Sequence, residues 1–184
     1  KYLYSYGFTQ QVKDNAAGTI FWSLNAANDY ASPTTEVLGN TATITTGYTA
    51  WTNDLTSRQV VKGTTLQNLS YQWDPNGNLS QRQDLVQNLT EVFAHDALNR
   101  LDTGTLNGNQ NLNVDYLANG NIDVKSDAGT FNYTTQQAGC DYTGLTAQPH
   151  AVRKAGGTVF CYDKNGNMTS RGGSSITWMS YNQP

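Results

Sequence analysis

The side chains best suited to acid–base, nucleophilic or metal chemistry are sparse in this 184-residue sequence: His95 and His150, Cys140 and Cys161, and 14 acidic residues. A serine nucleophile needs a histidine base and an orienting carboxylate, but no Gly-x-Ser-x-Gly elbow is present and both histidines fall in repeat-like contexts. His95 stands where a strand pattern calls for an aromatic, so packing is its expected role. Asp163-x-Asn165-x-Asn167 opens like a calcium loop, and so does Asp74-x-Asn76-x-Asn78. The bidentate glutamate that such a loop requires near its twelfth position is missing from both. A zinc site would need more clustered His or Cys than the chain offers. The paired carboxylates of a glycosidase could be drawn from many acids, yet most of these occupy turn or solvent-facing positions. The expectation is a protein that is not an enzyme and that uses no metal and no cofactor.

The two cysteines are compatible with one Cys140–Cys161 disulfide or with two unpaired thiols. Asn-x-Ser/Thr sequons occur at Asn68, Asn78, Asn88, Asn132 and Asn167. They are either a by-product of Asn- and Thr-rich strands or, in a glycosylating host, acceptors, with Asn68 and Asn132 best placed on a solvent face. Charged residues make up 14% and the formal net charge is −3, which leaves no basic footprint for nucleic acid and no polybasic run for a membrane. No apolar stretch is long enough for a spanning helix. Tyrosine (11) and tryptophan (4) are plentiful; with Asn they could form an exposed sugar platform, or the aromatics could build the buried face of a sheet.

Stepping outward to the elements, Leu69, Tyr71 and Trp73 alternate with Asn68, Ser70 and Gln72. Leu112, Val114 and Tyr116 do the same, as do Phe131 with Tyr133 and Ile176 with Trp178. This period of two predicts antiparallel strands with one buried and one wet face, the aromatics Tyr71, Trp73, Phe93, Tyr116, Phe131, Tyr133, Phe160, Tyr162 and Trp178 on the buried one. Asn-Gly-Asn recurs at 76–78, 107–109, 119–121 and 165–167. In Asp74-Pro75-Asn76-Gly77 the proline presets φ for a type I turn, Gly77 accepts the left-handed conformation, and Asp74 accepts backbone N–H groups. Asp163 with Gly166 repeats this; Gly120 stands in a worn copy; in the turn after Asp96, Asn99 takes the glycine's place. The best helical window, 84–88, runs into a strand-like alternation, so no helix beyond about two turns is expected. Strand cores starting at Tyr4, Phe21, Tyr48, Tyr71, Phe93, Val114, Phe131, Phe160 and Ile176 are unevenly spaced. That favours hairpins with unequal loops over a rigid solenoid, within one continuous domain over 1–184.

The pattern aromatic-x-aromatic-Asp-x-x-Gly-Asn/Arg-Leu, seen at Tyr71–Leu79 and Phe160–Met168, resembles the YD repeat of bacterial RHS proteins and of the animal teneurins. The run from Asn88 to Leu101, the Gln148-Pro149-His150-Ala151-Val152 segment and the closing Ile176 to Pro184 are of the same kind. The resemblance implies an all-β, curved antiparallel sheet of tandem hairpins that is part of a spiral shell or stacked sheet, and a longer parent protein that can enclose a toxin. It further implies an exported, extracellular or cell-surface structural module. The implied partners are the rest of its own shell, or identical subunits meeting by strand-edge pairing, with glycans as the alternative for an adhesive or carbohydrate-binding surface.

Overall fold

The computed structural model describes residues 1–143, 148–181 and 183–184; Asn182 of the closing segment lies outside them. The fold is all-β, with seventeen strands and no helix among the described residues. The chain divides into two compact units, Lys1–Arg100 with Thr105–Asn109, and Leu101–Gly104 with Gln110–Pro184. The sequence pattern predicts one continuous domain over 1–184. In tandem hairpins packing runs between sequence neighbours, so nothing forces the whole chain into a single contact cluster.

The first unit carries β1 (Tyr2–Ser5), β2 (Phe8–Lys13), β3 (Ile20–Ala27), β4 (Pro33–Leu38), β5 (Thr43–Tyr48), β6 (Leu55–Lys62), β7 (Thr64–Trp73), β8 (Leu79–Asp84) and β9 (Leu89–His95). Each pairs antiparallel with the next. β10 (Leu101–Leu106) and β11 (Asn109–Tyr116) contribute residues to both units. The second unit continues through β12 (Ile122–Lys125), β13 (Gly129–Asn132), β14 (Lys154–Ala155), β15 (Thr158–Tyr162), β16 (Met168–Arg171) and β17 (Ser174–Ser175). Here too each strand pairs with its successor.

One turn geometry links many of these strands. At 28–32, 38–42, 74–78, 96–100, 117–121 and 163–167 the first residue's N–H donates to the fifth carbonyl, and the fourth N–H donates back to the first carbonyl. The fourth residue is left-handed each time: Ala31, Thr41, Gly77, Asn99, Gly120 and Gly166, with φ between 59° (Asn99) and 86° (Gly120). This is a type I turn followed by a left-handed residue, the usual longer hairpin connection. The Asn-Gly-Asn at 107–109 belongs to another class: Asn107 (φ 49°) and Gly108 (φ 80°) are both left-handed, as a two-residue type I′ turn requires. The window 84–88 is a turn in which Asp84 Oδ1 accepts the N–H groups of Val86 and Gln87.

The expected buried aromatic face is corrected by the structure. Tyr71, Phe93, Tyr116, Phe131, Tyr133, Phe160, Tyr162 and Trp178 are half-buried, and Trp73 is 36% exposed. The buried hydrophobic residues among those described are Ala42, Ile44, Val114, Ala155 and Cys161, none of them aromatic. From β1 to β9 and from β12 to β17, strands contact only their neighbours in sequence. In a single layer of strands no second sheet covers the rings, so alternation does not divide a buried from a wet face.

Gly77 and Gly166 hold φ of 83° and 85°, and a Cβ on Gly77 would meet nothing within 4 Å. Gly77→Val should therefore cost stability through backbone strain alone, by more than about 1 kcal/mol, as should Gly166→Val. The check is chemical denaturation of each variant; unchanged midpoints for both would refute the turn assignment.

Candidate functional site

The residues singled out in the sequence assemble into a repeated structural device. At the end of β7, Trp73 Nε1–H donates to Leu55 O, the first carbonyl of β6, at 2.8 Å. Tyr116, ending β11, donates its hydroxyl to Leu101 O at the start of β10 at 2.9 Å. Tyr133 reaches Ile122 O (2.9 Å), Tyr162 reaches Val152 O (3.0 Å) and Trp178 reaches Met168 O (2.7 Å). Each aromatic thus ties the open end of its hairpin with its polar tip. The Tyr133 and Tyr162 hydroxyls titrate above the usual phenol range, chiefly because partial burial disfavours the phenolate. Phe93 in β9 and Phe160 in β15 carry no polar tip.

The residue after the aromatic opens the next turn. Asp74 Oδ1 accepts the N–H groups of Asn76 and Asn78, and Oδ2 accepts the Asn78 carboxamide. Asp163 makes the same set with Asn165 and Asn167. Asp96 accepts from the N–H groups of Leu98 and Arg100 and pairs with the Arg100 guanidinium at 2.6 Å. All three carboxyls sit below the ordinary range. For Asp74 the first cause is the Asn78 carboxamide and for Asp96 the Arg100 side chain. For Asp163, partial desolvation pushes upward but is outweighed by hydrogen bonds from Asn167, Asn165 and Gly166.

His95 ends β9, at the place where Trp73 ends β7. It stands in place of an aromatic donor to the strand start, and it is the last and smallest of the causes that lower the Asp74 carboxyl. His150 Nδ1 lies 2.6 Å from Asn121 Oδ1, far from His95 in sequence. Cys140 and Cys161 form a disulfide that ties the long connection after β13 to β15. Arg153 stacks over Tyr142 in that connection, 4.8 Å from the ring centroid. Asn68 is half-buried within β7. Asn132 has its carboxamide engaged, accepting from Thr134 and Thr135 N–H and donating to Thr135 Oγ1. Among the described residues no group of His, Cys, Asp and Glu is arranged to hold a metal ion.

The loop 49–54 was not singled out in the sequence. Thr49 and Thr52 hydroxyls are 2.6 Å apart, Thr49 Oγ1 accepts the Asp54 N–H, and Thr52 donates to Asp54 Oδ2. Asn53 bridges to the 28–32 turn through Asn28 and Ser32, and Tyr30 donates its hydroxyl to Trp51 O. This ordered loop and the 74–77 turn flank the open end of the β6–β7 hairpin and border an open groove of about 610 Å³ that includes Tyr71 and Trp73.

No family model matches the chain, and no curated protein matches it. Among solved structures it is similar to the crystal structure of TcdB2-TccC3-Cdc42, at 16% identity and a TM-score of 0.47, covering 97% of this chain and 8% of that one. It is also similar to the structure of the Photorhabdus luminescens Tc holotoxin pore, at 14% identity and a TM-score of 0.47, covering 90% of this chain. The chain spans 7% of the length of that second match.

Two outcomes test the device. Tyr162→Phe should lower stability by about 1 kcal/mol through loss of the hydroxyl bond alone, whereas His95→Tyr should raise the melting temperature by restoring a donor toward Leu79. Equal melting temperatures for wild type and both variants would refute the clamp. Because the Asp74, Asp96 and Asp163 carboxyls are depressed in the folded state, their stabilisation is present above the ordinary carboxylate pKa. It is lost as pH falls below about 4, where the unfolded chain takes up protons first. Asp→Asn at all three should keep the turns, as Asn28 does in its own turn by accepting from Tyr30 and Ser32. The triple variant should flatten the loss of stability in acid, read from denaturation midpoints between neutral and acid pH.

Proposed function

We propose that the chain is a non-catalytic structural module: a run of hairpins from the wall of an exported RHS/YD-type shell or extracellular assembly. The observation that carries this reading is the repetition of the aromatic clamp and carboxylate turn in both units, which commits the side chains nearest to chemistry to holding hairpins together. Half-buried aromatics along single-layer hairpins suit a wall whose two faces meet different surroundings. The Cys140–Cys161 disulfide favours an oxidising, extracellular compartment. Assembly with the remainder of a shell, or with identical copies, would proceed through strand edges. β1 pairs with β2 and exposes Tyr2 (61%) and Tyr4 (66%) on the strand that bounds the first unit.

Sedimentation of the isolated 184-residue chain tests this. Concentration-dependent association at about 10–100 µM is expected, reduced by Tyr4→Lys, since charge blunts an edge strand. A stable monomer whose edge amides all exchange slowly would overturn the assembly role.

A further inference from the structure

The pairs Asn76-Gly77, Asn107-Gly108, Asn119-Gly120 and Asn165-Gly166 are each followed by Asn. They share one reaction: the glycine amide nitrogen can attack the asparagine side-chain carbonyl carbon, because glycine has no β-carbon to hinder the approach. All of these residues are exposed to water, so what separates the pairs is hydrogen bonding and turn geometry. In three of them the nucleophile is occupied. Gly77 N–H donates to Asp74 O at 3.0 Å, Gly120 N–H to Leu117 O at 2.9 Å and Gly166 N–H to Asp163 O at 3.1 Å. Attack requires that proton to leave, and a hydrogen bond made by the protonated form holds it in place. Gly108 N–H, in the two-residue turn between β10 and β11, has no acceptor among the described residues.

The carboxamide at this site is also prepared for attack. Thr90 N–H in β9 donates to Asn107 Oδ1 at 2.8 Å, while Asn107 N–H donates to Thr90 O at 2.7 Å. A donor fixed on that oxygen draws charge from Cγ and stabilises the oxyanion that forms as the nitrogen adds. Asn119 Oδ1 likewise accepts an N–H, from Asn121, but its glycine nitrogen is occupied. The turn type supplies the route. Ring closure eclipses Cβ with the following nitrogen, which for an L-residue sets ψ near −120°, the value at the first central position of a type II′ turn, where φ is about +60°. Asn107 already holds φ of 49°. A flip of the 107–108 peptide plane therefore converts type I′ into type II′, and both close two-residue hairpins. Gly108 accepts either sign of φ, so the strands need not part.

We infer that Asn107 is a site of self-modification. The Gly108 nitrogen gives its proton to solvent and bonds to Asn107 Cγ. The carboxamide C–N bond then breaks, ammonia leaves and a succinimide remains. Water adds to either ring carbonyl, opening the ring to an α-linked aspartate or a β-linked isoaspartate, and no oxidant or cofactor takes part. Aspartate keeps an acceptor for Thr90 N–H and suits a type I′ turn. Isoaspartate inserts a methylene into the backbone of a two-residue loop, and the register that this loop sets is lost.

The test incubates the full chain in mildly alkaline buffer, folded and in denaturant. Exchange of NH2 for OH at each site is followed by peptide mass spectrometry, with electron-transfer fragmentation to distinguish isoaspartate from aspartate. In the folded chain Asn107 should convert at least about tenfold faster than Asn76, Asn119 and Asn165. In denaturant the rates should converge, because the residues that follow each asparagine are the same. A folded-state rate at Asn107 no higher than at the other sites would overturn the proposal, and so would the same lead persisting in denaturant. Amide exchange gives a second readout. Gly108 N–H should exchange faster than the N–H groups of Gly77, Gly120 and Gly166, and protection equal to theirs would also overturn it.

Discussion

The hydrogen bond from an aromatic tip to the first carbonyl of its own hairpin is the interaction on which the architecture depends. A two-stranded hairpin in water is marginal, because ordering its backbone costs more than a thin layer of side chains returns. Its weakest point is the end away from the tight turn. Trp73, Tyr116, Tyr133, Tyr162 and Trp178 all act at that end. The one polar atom of each ring satisfies a carbonyl at or near a strand start. The adjacent carboxylate then starts the reversal into the next hairpin, so a single dipeptide closes one unit and opens another. Trp73-Asp74 and Tyr162-Asp163 carry both halves. Tyr116-Leu117 keeps the clamp without the carboxylate, and His95-Asp96 keeps the carboxylate without the clamp.

The fold class and these turns were legible because their signals are local. Period-two alternation marks a strand, and Asp-x-x-Gly marks a left-handed fourth residue. The turns at 28–32 and 38–42 were not legible, because Ala31 and Thr41 hold the positive φ there without a glycine to announce it. Their stabilisation comes from Asn28 and Asn40, whose side chains accept N–H groups across the turn. The buried face was misread for a different reason. Alternation reports that two faces differ, but whether either is shielded depends on what is laid over it, and strand-to-strand contacts within β1–β9 and within β12–β17 run only between sequence neighbours. The groove at Trp73 was hidden likewise, since the loop 49–54 and the turn 74–77 are distant in sequence and meet only once β5, β6 and β7 pair.

The second unit shows how such an arrangement accommodates a long connection. Between β13 and β14 the chain leaves the regular strand succession for its longest connection. The disulfide returns Cys140 to β15, and Arg153 anchors the segment on Tyr142 and on Thr134 O at 2.6 Å. Closing a loop of this separation, 21 residues, is worth about 3 kcal/mol in the chain-entropy account. The β13–β14 and β14–β15 pairings are preserved despite the excursion.

Self-closure of each hairpin bears on how the chain can be made. A clamped hairpin has its own strand pair and tie complete once its terminal aromatic has left the ribosome, and gains the rest of its stability as the next strand docks. Folding can then follow translation from the N-terminus, one hairpin docking on the last, with low contact order at every step. The most recent strand always presents a fresh edge, so the growing end is also where a stalled chain would be captured by a neighbour.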